Sequence, residues 1–166
     1  MIIVKTERLY IRKVVKPDTK DLYKILADPV VMKYSTIGVH SNEQIFEYVE
    51  NCQKQYALNG FGHWAIYNLD DEFIGLCGLN KHRVDESDVI HINYRITKEH
   101  QGKGYAVEST LGVLDFAKNS LKLKSIYALI EPENINSAKV AARSGFQFIK
   151  SSVFRNIKID VYRASL

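Results

Sequence analysis

Residues 100–110, HQGKGYAVEST, set two glycines around a lysine, Gly102-Lys103-Gly104, between an alternating apolar run, VIHINYRI, and a long amphipathic one. Glycine lets the backbone bend sharply and leaves no Cβ in front of the amides. A helix start behind it supplies unpaired N–H groups and the positive end of the helix dipole. Together they make a site for an anion such as phosphate, with Lys103 adding charge at the rim. A tight strand–helix connection without a ligand accounts for the same residues. Two phosphate motifs do not fit. A P-loop needs GxxxxGK followed by Ser or Thr, and here Gly104 is followed by Tyr105. A dinucleotide fingerprint needs GxGxxG, and here the third position is Val107. Just before the loop stands His91, whose side-chain type has the intrinsic pKa of a base near neutrality. It could equally be a strand-surface residue. His63, beside Trp64, and His100, at the loop, rank behind it.

These residues need elements to position them. ERLYIRKVV alternates as a strand. KPDTKDLYKILADP reads as a helix, with Pro17 in its first turn, Leu22, Ile25 and Leu26 on its apolar side and Pro29 past its end. Ser41 and Gln44 match a capping box, and Ile45, Val49, Cys52 and Tyr56 follow at helical spacing up to Asn59-Gly60. GHWAIYN and EFIGLCGL are strands joined by the turn-like LDDE. In VIHINYRI, Ile90, Ile92, Tyr94 and Ile96 face one way, and His91, Asn93 and Arg95 the other. After the glycines, Val107, Leu111 and Leu114 stripe a helix. Its neighbouring face of smaller residues, Ala106, Thr110, Val113 and Ala117, suits close packing on a sheet. KSIYALIE is a strand broken by Pro132, NINSAKVAARSG a short helix closed by Gly145, and FQFIKSS with NIKIDVYRAS a terminal hairpin. The predicted order is β-αα-βββ-α-β-α-ββ, an α/β protein whose mixed sheet is covered by helices on both faces.

A chain of 166 residues is expected to form one domain, residues 1–166, with a core of its own. Lys plus Arg outnumber Asp plus Glu by 23 to 19, an excess that suits an anionic ligand but is too small and too dispersed to argue for nucleic acid. Cys52 and Cys77 form no CxxC pair, and no metal-ligand spacing occurs. With no signal peptide, spanning apolar run or lipidation motif in the sequence, a cytoplasmic location without membrane association is expected by default.

One pattern does fit the loop. Gln101, Gly104 and Ala106 make Gln-x-x-Gly-x-Ala, which resembles the pyrophosphate loop, Arg/Gln-x-x-Gly-x-Gly/Ala, of the GNAT superfamily of N-acetyltransferases. INYRITKEHQGKGYAVEST is similar to the GYWLxPxxQGKGYATEA segment of its ribosomal-protein acetyltransferase (RimJ/RimL-like) branch. ENINSAKVAARSGF is similar to that branch's NxASxRVxEKxGF. The TERLYIR opening and the DVY near the end agree, so the resemblance spans nearly the whole chain.

The resemblance implies the same element order, with a central strand splayed from its neighbour to leave a V-shaped cleft for acetyl-CoA. By position it implies that Gln101 and the amides of Gly102, Lys103, Gly104, Tyr105, Ala106 and Val107 hold the pyrophosphate. The backbone of Tyr94, Arg95 and Ile96 would pair with the pantetheine arm like an added strand. Asn134 would hydrogen-bond the same arm; a helix cap is its other reading. The general-acid tyrosine of much of the superfamily falls at Ala141 and is absent. The branch's proposed acid, the serine of Asn-x-x-Ser, falls at Ser137, which could also be a first-turn capping residue. Branch members often carry glutamate where His91 stands and glycine where Asn93 stands. Ser137 and His91 are therefore the catalytic expectations, and no metal is expected.

The implied reaction transfers acetyl from acetyl-CoA to a primary amine by direct attack in a ternary complex, with a protein N-terminal α-amine as acceptor. A small amine such as a polyamine or aminoglycoside stays open. So does a non-catalytic acyl-CoA-binding module, and so does a monomer or a homodimer. Tyr34 and STIGVH lie in the inter-helix loop, which in this family often borders the acceptor site.

Overall fold

The alternating runs become strands of one sheet, and the amphipathic runs become helices packed on it. The computed structural model describes residues 1–166. The elements are β1 (Ile2–Lys5), β2 (Leu9–Lys13), a 3₁₀ turn at Lys16–Asp18, α1 (Thr19–Leu26) and α2 (Asn42–Asn59). Next come β3 (His63–Asn68), β4 (Phe73–Val84), β5 (Ser87–Ile96), a second 3₁₀ turn at Lys98–His100 and α3 (Tyr105–Asn119). β6 (Ser125–Ile130), α4 (Ile135–Arg143), β7 (Gln147–Phe154) and β8 (Ile157–Ser165) complete the chain. The eight strands lie in the order β1-β2-β3-β4-β5-β6-β8-β7, a mixed sheet as expected. No helix is long and apolar enough to cross a membrane.

The order differs from the expected one by a strand at the start. The first residues form β1, paired antiparallel with β2, and the chain reverses at Thr6–Arg8 without a glycine or proline to announce it. The capping box holds: Ser41 Oγ accepts from Gln44 N–H, and Gln44 Oε1 accepts from Ser41 N–H. Helix α2 buries Ile45, Val49, Cys52 and Tyr56, and α1 buries Leu22, Ile25 and Leu26. Register decides which face each strand residue meets. Trp64, Cys77 and Tyr94 lie in one cross-strand row and face α3 and α4; Trp64 packs edge-on against Phe116 of α3. His63, Gly78 and Asn93 lie in the adjacent row and face α1 and α2, where the Tyr48 hydroxyl meets His63 Nδ1 at 2.6 Å.

Every strand pair is antiparallel except β5–β6, which touches through a single rung, His91 opposite Tyr127. Beyond it β5 stays in register with β4 as far as Ile96 opposite Gly75. β6 stays with β8 as far as Ile130 opposite Asp160. Each strand is held by its outer neighbour, so their facing edges part and leave unpaired backbone N–H and C=O groups. That opening is the expected V-shaped cleft.

Candidate active site

The glycine loop forms the floor of the cleft. Gly104 is the N-cap of α3 with φ 81°, and Gly102 has φ 75°, both left-handed and costly for any residue with a Cβ. No side chain of the loop covers the first amides of α3, and Gly104 supplies no side-chain cap. The loop is held by groups at a distance in sequence. Gln101 Nε2 donates to the Ile96 carbonyl at 3.2 Å, so this side chain ties the loop to the end of β5. Arg8 Nη1 donates to the Lys103 carbonyl at 2.9 Å, and Arg8 Nε donates to Glu108 Oε2 at 2.6 Å. Glu108 Oε1 also accepts from Thr6 Oγ1 and from the Arg8 amide. The β1–β2 turn thus clamps the first turn of α3. Sequence reasoning missed Arg8 and Glu108, since no local pattern signals a contact 100 residues apart. His100 is buried beneath the loop, its Nδ1 2.6 Å from Thr97 Oγ1 and its Nε2 3.2 Å from Glu72 Oε1.

The cleft has a volume of about 650 Å³ and draws its walls from β5, the loop, β6, α4 and the segment between α1 and α2. Of the expected cofactor residues, Tyr94, Arg95, Ile96, Gln101, Gly102, Gly104, Tyr105, Ala106, Val107 and Asn134 line it together. Lys103 does not: it is exposed outside the wall. No Asp or Glu lines the cleft, whereas Lys33, Arg95, Lys139 and Arg143 do. These residues fit acetyl-CoA. Bare amides at a helix start suit its pyrophosphate, two free strand edges suit an amide-bearing arm, and acid-free walls suit its negative charge.

At the α4 side, Asn134 is a helix cap: its Oδ1 accepts from the Ser137 amide at 3.2 Å. It lines the cleft as well, so the cap does not exclude the expected contact with the cofactor. Ser137 also lines the cleft, and its hydroxyl donates to Tyr94 Oη at 3.0 Å. Tyr94 Oη in turn donates to the Ser137 carbonyl at 2.8 Å. Burial pushes the Tyr94 hydroxyl up to about 12, so it keeps its proton. The expectation for Tyr94 concerned only its backbone. Its side chain brings a phenol to the helix that lacks one at Ala141.

His91 is not brought to the site. It sits at the closed end of the cleft, 6% exposed, and does not line the cavity. Its Nε2 lies 2.7 Å from His82 Nδ1, and Phe154 packs beside both rings. Burial, with His82 and His63 nearby, holds its pKa down to about 3. It is neither the strand-surface residue nor a base that titrates near neutrality. His63 is likewise held to about 3 by burial and by the charge of Arg95. Both folded-state values are depressed, so these residues add stability above the unfolded pKa of ~6.5 and lose it as pH falls towards 3. Each contributes a slope of up to about 1.4 kcal/mol per pH unit within that window. Tm should therefore fall steeply between about pH 6.5 and pH 5, and His91→Gln, less stable at neutral pH, should show a visibly shallower decline.

A V-shaped cleft beside a lone parallel rung, with a bare glycine loop at a helix start, defines an acyl-CoA N-acyltransferase. Residues 8–147 match the family described as acetyltransferase (GNAT) domain, and the chain belongs to that family. It is an acetyl-CoA-dependent N-acetyltransferase. It is 33% identical over 172 residues to an uncharacterized N-acetyltransferase, p20, of Bacillus licheniformis, covering 97% of this chain and 93% of that one. In fold it resembles RimL, a ribosomal L7/L12 alpha-N-protein acetyltransferase in complex with coenzyme A, at TM-score 0.84 and 15% identity, over 100% of this chain and 98% of that one. It also resembles the spermidine N-acetyltransferase of Vibrio cholerae, in complex with CoA and spermine, at TM-score 0.79 and 20% identity, over 96% of each chain.

Proposed function

We propose that the chain acetylates an α-amine, with a protein N-terminus as the acceptor, as in the ribosomal-protein acetyltransferase that shares its fold. The observation that carries this reading is the absence of a base in the cleft. No carboxylate lines it, and the one histidine that does, His100, spends both ring nitrogens on Thr97 and Glu72. The acceptor must then bring its own neutral form. At pH 7.5 an α-amine with pKa ~8 is roughly a quarter neutral, whereas a lysine-type amine at ~10.4 is neutral at about one part in a thousand. That difference of roughly 200-fold in nucleophile selects the α-amine. A polyamine or aminoglycoside would also need carboxylates to hold its remaining charges, and these walls have none.

Bound acetyl-CoA supplies the activated acyl thioester. In the transfer one N–C bond forms and one C–S bond breaks; the amine gives up a proton and the thiolate takes one. The chain's part is to position the amine and to hold a proton ready. Ser137 and Tyr94 hold adjacent hydroxyl protons at the cleft wall, and we assign the donor role to this pair. Tyr94 fixes the Ser137 hydroxyl in orientation, and Ser137 can turn its proton from Tyr94 Oη to the developing charge. His91 has no role in proton transfer in this scheme.

The test is an amine panel with acetyl-CoA, read by release of free thiol. Peptides with alanine or serine at a free N-terminus should exceed N-blocked lysine peptides by about 100-fold in kcat/KM at pH 7.5. Preference for spermidine, an aminoglycoside or the lysine side chain would overturn the reading.

A further inference from the structure

Arg95 follows Tyr94 on β5, and alternation turns its side chain away from α3, α4 and the glycine loop, towards α1 and α2. It lines the cleft there, mostly buried, with Lys33 of the inter-helix segment on the same cavity wall. The groups close enough to feel its charge are His40, Tyr48 and His63. None can neutralise it: burial keeps both imidazoles unprotonated and raises the phenol well above its ordinary value. Arg95 itself is lowered by burial, with no hydrogen bond or carboxylate to offset it. Two arginines elsewhere in the chain are matched. Arg12, with 23% of its side chain exposed, pairs with Asp18 at 2.8 Å, and Arg8 pairs with Glu108 at 2.6 Å. A largely desolvated guanidinium without a counter-ion is expensive to keep in a fold.

The geometry points to an acceptor that carries a carboxylate close to its amine, with Arg95 receiving that carboxylate. This rests on the α-amine transferase reading and narrows it. The pyrophosphate is not the partner this placement offers, because alternation turns the Arg95 side chain away from the amides of the glycine loop. The guanidinium fork matches a carboxylate through two parallel hydrogen bonds, which fixes direction as well as position. Lys33 adds attraction at the mouth. The same positive charge disfavours an ammonium nearby, so the amine held beside Arg95 is kept in its neutral, nucleophilic form. A polycation would meet Arg95 and Lys33 with no acid to shield it. Two sources offer this chemistry: a free α-amino acid, or a peptide N-terminus with an acidic residue in its first positions.

The experiment titrates a paired panel into CoA-saturated protein by calorimetry and follows the same panel by thiol release with acetyl-CoA. The free-acid arm compares alanine and serine with their α-amides, which carry no carboxylate. The peptide arm compares N-termini bearing Asp or Glu with the Asn or Gln equivalents. In at least one arm the carboxylate member should bind about 10-fold tighter and react correspondingly faster than its neutral pair, which also identifies the source. Arg95→Gln should bring that ratio close to one, and Arg95→Lys should restore part of it. Equal affinity for acid and amide in both arms of the wild type overturns the proposal, whether or not any variant folds. So does a preference that survives Arg95→Gln. If the binding preference appears without turnover, the role of Arg95 stands and the transferase reading of the acceptor fails. If turnover appears without the preference, the reverse holds.

Discussion

Gly104→Glu should abolish useful binding of CoA while the chain still folds. Gly104 has φ 81° at the cap of α3, where any Cβ costs roughly 1–2 kcal/mol. A Cβ built there has space, with Arg8 Nη2 at 3.4 Å as its nearest neighbour. The new carboxylate therefore has a cation beside it and no backbone to displace, so the fold tolerates it at a modest loss in Tm. Function does not tolerate it. A fixed negative charge would occupy the amides expected to hold the pyrophosphate and would repel it at short range. The expected rise in dissociation constant is at least about 100-fold, equivalent to ~2.7 kcal/mol. Calorimetry with CoA reads it directly. Gly104→Ala, which adds strain without charge, should fall between the two. Wild-type affinity in the glutamate variant would remove the loop from the cofactor site.

Removing the Tyr94 hydroxyl should slow the chemical step nearly as much as removing that of Ser137. The two form one unit: each donates a hydrogen bond to the other residue, at 3.0 and 2.8 Å. Tyr94→Phe leaves Ser137 with an unanchored hydroxyl, and Ser137→Ala leaves Tyr94 with its proton committed to a carbonyl. Each single change should lower kcat by about 100-fold, within the range expected for a positioned proton donor. The double variant should lose little more than either single one, since both act on the same proton. CoA affinity should change far less than kcat, which separates the proposed role from damage to the cleft. Additive losses would mean that the two hydroxyls act independently. An unchanged kcat in Tyr94→Phe would leave proton donation to Ser137 or to water.

The legible parts of this chain were those written in local spacing. The capping box, the stripe of α2 and the alternation of β5 each involve residues within one or two turns or pleats of each other, and they folded as read. The glycine loop was legible for the same reason. Short-range signals failed where a turn lacked its usual residues. β4 and β5 run on to Val84 and Ser87, joined through Asp85 and Glu86 at φ 47° and 66°, positions that glycine or asparagine would have advertised. β1 was missed because Thr6–Arg8 does not look like a turn. The site showed a sharper limit. Periodicity placed Tyr94 and His91 on opposite faces of β5, which is correct, but could not say that both faces are covered. Hence His91 looked like a base and is enclosed, while Tyr94 looked like a backbone contributor and brings its phenol to Ser137. Arg95 was named for its amide; its missing counter-ion becomes visible only when the cleft walls are assembled.

The lone rung between His91 and Tyr127 has a consequence for the life of the protein in a cell. Two half-sheets meet there, and along the rest of the seam the backbone of each is left for water or for an added strand. If the two free edges hold a pantetheine arm as the family resemblance implies, it would join the halves. The ligand binds only the folded chain, so stability gains RT ln(1 + [L]/Kd), about 2.7 kcal/mol when the cofactor stands at 100 times its dissociation constant. Local opening of the seam, and with it exposure to proteases, becomes rarer by the same factor. Resistance to proteolysis should then rise with cofactor concentration, which limited digestion at increasing CoA would read.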